Sequence, residues 1–204
     1  MMSELVLPIA IPFTTAAIQM VAPQRPQLQR WIALAGSLGL LGSALWLFVS
    51  VEAGGIQVLH VGGWTAPFGI TLVADLLAAM LIVATGIVGV AVTGAAFAGV
   101  DPRREAFGYH PLIQILLMGV AGAFLTGDLF NLYVWFEVML VASFVLMALH
   151  RTRAQLEAAF KYVTINLIAS SIFLTALGLL YGMAGTLNMA DLARVWPSIR
   201  TTGM

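Results

Sequence analysis

The sequence predicts an all-α integral membrane protein of about six transmembrane helices, with its N-terminus outside. Three observations carry that prediction. Of 204 residues, 61% are hydrophobic and only 9% charged, against about 25% charged in soluble domains; the mean hydropathy is +0.99. Apolar runs of the roughly 20 residues that a helix needs to cross the hydrocarbon core recur between short polar breaks. The arginines gather in alternate connections.

The same composition narrows the chemistry. There are no cysteines, so disulfides, thiolate zinc sites and iron–sulfur ligation are excluded. No G-x-x-x-x-G-K stretch is present to cradle ATP phosphates, which leaves an ion gradient as the driving force. The formal net charge is zero and the basic residues are scattered, unlike the basic face that nucleic acid demands.

Apolar segments fall at Leu5–Val21, Trp31–Val51, Phe68–Val92, Leu112–Thr126, Leu129–Leu149 and Ala158–Tyr181. The first lacks a basic n-region and carries Pro8 and Pro12 within its apolar run, so it reads as a retained helix rather than a cleaved signal peptide. Between the second and third lies VEAGGIQVLHVGGWTAPFG, too rich in glycine and turn residues to continue either helix and suited to a small extramembrane hairpin. Gly36, Gly39 and Gly42, then Gly86 and Gly89, then Gly119 and Gly122 recur at helical spacing, which lets helix backbones approach closely in lipid. Residues 1–181 thus form one six-helix bundle. Residues 182–204 form an interfacial or extramembrane tail, in which Asn188 caps a short helix with Asp191 at its third position.

Orientation follows from the charges. Arg25 and Arg30 follow the first segment, Arg103 and Arg104 the third, Arg151 and Arg153 the fifth. The opposite connections carry Glu52 and Asp128 without Lys or Arg. The positive-inside rule then places the arginine connections in the cytoplasm; only Arg194 and Arg200 run against it.

Ionisable residues within the segments are the functional candidates, because a charge at mid-membrane costs about 3 kcal/mol or more. Glu137 is the clearest, eight residues into FNLYVWFEVMLVASFVLMAL. Phe130, Tyr133, Val134, Val141 and Phe144 share its helical face, and only the Tyr133 hydroxyl offers it a local hydrogen bond. Hydrocarbon surroundings penalise its charged form and a nearby cation favours it, so a proton is gained or lost as a partner moves. Lys161 is the second candidate. With Thr164, Ile168, Ser171 and Thr175 it forms a single stripe of mostly polar members, which suits a hydrated seam inside the bundle. Lys161 sits about 5 Å from the predicted end of its segment, too shallow for a direct pair with Glu137. Asp75, in the first turns of the third segment, and Asp128, capping the fifth, suit helix N-termini. His60, His110 and His150 show no mutual metal spacing. Trp31 and Trp196 are placed as interface anchors.

Three stretches carry a resemblance: GGWTAPFGITLVADLLAAM, HPLIQILLMGVAGAFLTGDLFNLYVWFEVMLVAS and AAFKYVTINLIASSIFLTALGLLYG. Through them essentially the whole chain resembles the N-terminal part of the proton-conducting antiporter-like subunits, most closely the D-type subunits of Mrp-type multisubunit sodium/proton antiporters. The superfamily also contains the pumping subunits of respiratory complex I and of membrane-bound hydrogenases. The resemblance implies inverted helical repeats with broken helices, an external N-terminus, neighbouring membrane subunits as partners, a multi-pass place in the bacterial inner membrane, and no cofactor. It places the family's proton-exchanging glutamate on Glu137 and a basic position on Lys161. The subunits it resembles are longer and set their glutamate against a lysine on a following helix, which implies that this cation comes from outside the segment. The expected function is a subunit of a secondary cation/proton antiporter and not an enzyme. A redox-driven proton pump and a non-transporting scaffold are the alternatives.

Overall fold

The computed structural model describes residues 4–23, 25–149 and 152–202, without the side chains of 102, 103 and 198–202. His150 and Arg151 lie outside the described residues, as do the side chains of Arg103 and Arg200. The elements in order are α1 (Leu7–Val21), α2 (Pro26–Gly54), strand β1 (Gln57–His60), a 3-10 turn (Val61–Gly63), strand β2 (Thr71–Ala74), α3 (Leu76–Gly99), a short α4 (Pro102–Ala106), α5 (Tyr109–Leu125), α6 (Leu129–Ala148), α7 (Arg153–Ala184) and α8 (Met189–Thr202). Helices α2, α3, α6 and α7 are long and apolar enough to cross a membrane, and α1 and α5 are shorter apolar helices.

Helices α1, α2, α3 and α5 pack together, α6 packs on α5, and α7 packs mainly on α6. The core lies where α2, α3 and α5 meet, around Leu40, Leu47, Ile82, Leu117 and Leu125. Helix α7 is the outlying layer, with side chains such as Phe160 and Ile165 exposed.

The glycine pairs set the helix spacing, each at its own interface. A side-chain carbon at Gly36 would meet Thr15 of α1, one at Gly86 the Leu41 backbone of α2, and one at Gly122 the Trp135 ring of α6. Gly42 differs from expectation: its face is open, with nothing within 4 Å. Gly122→Ala should therefore lower thermal stability in detergent by about 1–3 kcal/mol through overpacking. Gly42→Ala should leave it unchanged or raise it by up to about 1 kcal/mol, the propensity difference.

The loop after α2 is the expected hairpin, with β1 antiparallel to β2 in the register Gln57↔Ala74 to His60↔Thr71. The third helix is corrected by it. Predicted from Phe68, it begins only at Leu76, because Thr71–Ala74 pairs as a strand. A short apolar run fits either element, and here pairing decides. Asp75 is accordingly the N-cap of α3, accepting from the Ala78 amide at 2.7 Å, rather than a residue within its first turns.

The hairpin recruits two further connections. The Gly127 amide donates to the Thr71 carbonyl (2.8 Å), the Met189 amide to Gly127 (2.9 Å) and the Leu129 amide to Leu187 (3.0 Å). Asn188 donates from its side chain to Thr71 Oγ1 at 3.2 Å. These bonds tie the starts of α6 and α8 to β2 at the hairpin end of the bundle. Asp128 caps α6 through the Asn131 amide, and Asn188 caps α8 through the Ala190 and Asp191 amides. Both caps match the sequence reading.

Candidate proton site on helix α6

Eight residues of α6 precede Glu137 and eleven follow it, which puts it about 12 and 17 Å from the two ends at 1.5 Å per residue. Its Oε1 is buried and has no hydrogen-bond partner among the described residues. An orphaned buried acceptor costs about 1–3 kcal/mol, more if charged. Tyr133, the expected local donor, does not serve: its ring stacks on Phe173 of α7 with centroids 6.2 Å apart and planes at 22°.

Glu137 lies between two cavities. A wide groove of about 620 Å³ runs between α1, α5 and α6 and is lined by apolar side chains including Phe13, Met20, Ile115 and Val138. On the other side, between α6 and α7, a pocket of about 60 Å³ carries Tyr162, Asn166 and Ser170. These three polar residues, at i, i+4 and i+8, face the carboxylate's helix, and sequence reasoning missed them in favour of the neighbouring stripe. Thr164, Ser171 and Thr175 are exposed, and their hydroxyls donate to carbonyls of their own helix at 2.8–2.9 Å. The expected seam inside the bundle is thus corrected: within the described residues that stripe lies on the outer face of α7. The missed signal was a second i, i+4 series starting one residue later.

Lys161 is also on this outer face. Its Nζ is 2.6 Å from Glu157 Oε1, with side-chain exposures of 68% and 62%. Helix α7 starts at Arg153 rather than 158, so Lys161 is about 12 Å into it instead of 5 Å. Depth no longer separates it from Glu137; direction does. The structure does not bring the two together.

A second buried charged group closes the arginine end. Arg30 of α2 binds Glu105 of α4 through Nε–Oε1 at 2.7 Å and Nη2–Oε2 at 3.0 Å, a two-point geometry that only a guanidinium supplies. His110 of α5 reaches the same Oε1 at 3.1 Å. A carboxylate only accepts, so His110 Nε2 carries the proton. Burial alone would raise the Glu105 carboxyl, but the hydrogen bonds from Arg30 and His110, with the charge of Arg30, outweigh it and hold it below its ordinary value. One turn deeper, Gln114 donates to the Ala33 carbonyl at 2.9 Å and to Ser37 Oγ at 3.1 Å. Among the described residues no group of three His, Asp or Glu side chains is arranged to hold a metal ion.

A multi-pass membrane protein with a carboxylate at mid-helix, its Oε1 unpartnered among the described residues, is the class that this fold and site define. Residues 126–203 match the model of the NADH:quinone oxidoreductase/Mrp antiporter membrane family. The chain is 45% identical over 199 residues to the D-type subunit of a Na⁺/H⁺ antiporter of Alkalihalophilus pseudofirmus, covering 98% of this chain and 40% of that protein. It is 40% identical over 195 residues to the D-type subunit of a probable K⁺/H⁺ antiporter of Rhizobium meliloti, covering 93% and 36%. Among solved structures, the Mrp complex from Dietzia sp. superposes with a TM-score of 0.85 at 32% identity, covering 94% of this chain and 37% of that one. A membrane-bound sulfane sulfur reductase, an archaeal respiratory complex, superposes equally well, at 0.85 and 31% identity, covering 97% and 40%. Residues 126–203 thus match the NADH:quinone oxidoreductase/Mrp antiporter membrane family, and the chain over nearly all its length is similar to the D-type antiporter subunits. It spans about 40% of the length of the relatives it matches.

Proposed function

We propose that this chain is part of a subunit of a secondary cation/proton antiporter in a bacterial cell membrane, in which Glu137 takes up and releases the transported proton. The observation that carries the reading is the buried, unpartnered Oε1 of Glu137 halfway along an apolar helix. Such a group changes protonation when a cation approaches or withdraws. The relatives named for Na⁺/H⁺ and K⁺/H⁺ exchange support a monovalent cation as the counter-ion, and supply the expectation of further membrane subunits as partners. The work is transport rather than enzymatic conversion of a substrate. In this reading the N-terminus is external and the Arg30–Glu105–His110 end faces the cytoplasm.

Lys161 is the auxiliary cation of the proposal, held by Glu157 when it is not needed. Lys161→Ala should therefore lower antiport only severalfold, since Lys161 lies on the exposed face of α7 and outside the pocket beside Glu137. Dye-quenching assays on everted vesicles with Na⁺ or K⁺ added test both the activity and the cation, and antiport unaffected by Glu137→Gln would overturn the reading. The equal likeness to an archaeal respiratory complex favours one second reading, a redox-driven proton pump with the same role for Glu137. Copurification with flavin or iron–sulfur subunits decides for it.

A further inference from the structure

Resting on the proton role of Glu137, we propose that Asn166 and Ser170 of α7 are positioning residues that hold a short file of water against the Glu137 carboxylate, so that protons reach it from the α7 side and not from the apolar groove.

The two faces of Glu137 differ in what they can hold. The 620 Å³ groove is lined by apolar side chains apart from Glu137 itself, and water in a pore needs 2–4 polar partners to stay ordered. The α6–α7 pocket is small, about 60 Å³, but this is room for about two waters at the ~30 Å³ each occupies in the liquid. Its lining is mixed, with five apolar side chains, and Tyr162, Asn166 and Ser170 are the polar partners it offers beside Glu137. The Ser170 hydroxyl, unlike those of Thr164, Ser171 and Thr175, makes no hydrogen bond to its own helix among the described residues. The Asn166 amide spends one donor on the Tyr162 carbonyl at 2.8 Å, which fixes the side chain and leaves its second N–H available. Levels agree as well. Tyr162, Asn166 and Ser170 lie about 14, 20 and 26 Å into α7 from Arg153, and Glu137 lies about 17 Å from the same end of α6, by the 1.5 Å rise. The three groups bracket the carboxylate.

Water bound to Ser170 Oγ and Asn166 Nδ2 would donate to the carboxylate from the pocket side. Transfer along the file is balanced: the carboxylate gains one proton from the nearest water as that water takes one from the next, and the water at the far end takes one from the aqueous phase, so the file itself ends unchanged.

The test uses the complete antiporter complex in everted vesicles, comparing the Asn166→Leu/Ser170→Ala double variant with Ser170→Thr and with Glu137→Gln. The double variant should lose antiport about tenfold, short of the hundredfold or more that removing a positioned acid or base costs. Its pH–rate profile should shift, and Ser170→Thr, which keeps the hydroxyl, should restore both rate and profile. If the double variant does not assemble, Ser170→Ala alone carries the same expectation at smaller size. A wild-type rate and pH profile in the polar-to-apolar variants, with Glu137→Gln inactive, would overturn the water file and leave the role of Glu137 standing. Activity in Glu137→Gln would overturn both.

Discussion

Glu137→Gln is expected to abolish antiport while the complex still assembles at wild-type level. The amide matches the acid in size and shape but cannot exchange a proton, so the chemistry is lost with the packing kept. Assembly should not suffer. The carboxylate makes no hydrogen bond in the described structure through Oε1, and an amide at mid-membrane avoids the cost of about 3 kcal/mol or more that a charge incurs there. Loss of a group that itself carries the proton corresponds to at least a hundredfold fall in rate. Membrane-complex yield on a native gel and dye quenching in vesicles separate the two effects. A destabilised complex with normal turnover per assembled unit would make Glu137 a structural residue and sink the proposal.

The second large effect is structural. Arg30→Ala should destabilise the bundle by about 3–5 kcal/mol, since it leaves the buried Glu105 charge uncompensated; Glu105→Gln, which leaves the partly exposed Arg30 unpaired, should cost less. Glu105 is 4% exposed and bridges α2, α4 and α5 through Arg30 and His110. The double change Arg30→Met/Glu105→Gln should recover much of the loss, because a charge-free site of similar volume is tolerated where a half-pair is not. The pH dependence has a definite sign. The Glu105 carboxyl is held below its ordinary value of 4.5, so its contribution is present in full above pH 4.5 and is lost as pH falls through the lower folded value. Thermal unfolding in detergent should show that acid loss in the wild type and a flatter dependence in Glu105→Gln. Equal acid sensitivity in the two would contradict the assignment.

Legibility divided along physical lines. Long apolar runs and capping residues depend on neighbours in sequence, so the helices and the caps at Asp128 and Asn188 could be read directly. Boundaries set by pairing could not: Thr71–Ala74 looks like the start of a helix until Gln57–His60 lies beside it. Residue direction on α7 was also illegible. Two overlapping helical series, one through Lys161 stepping by three and four and one through Tyr162 stepping by four, are equally good stripes, and only packing against α6 selects the second. The Arg30–Glu105–His110 group joins residues 75 and 5 positions apart, and no local pattern announces it.

That this chain belongs in lipid, and that Glu137 sits at mid-helix, could be read from the residues alone, because hydrophobicity and rise per residue are one-dimensional properties. What surrounds that carboxylate emerged only once the helices were packed. Packing turned Tyr133 toward Phe173 and set Asn166 and Ser170 opposite Glu137. Side-chain surroundings depend on which helix faces come together, and in lipid that choice is made by close packing at glycines such as Gly119 and Gly122 rather than by any hydrophobic pattern along the chain.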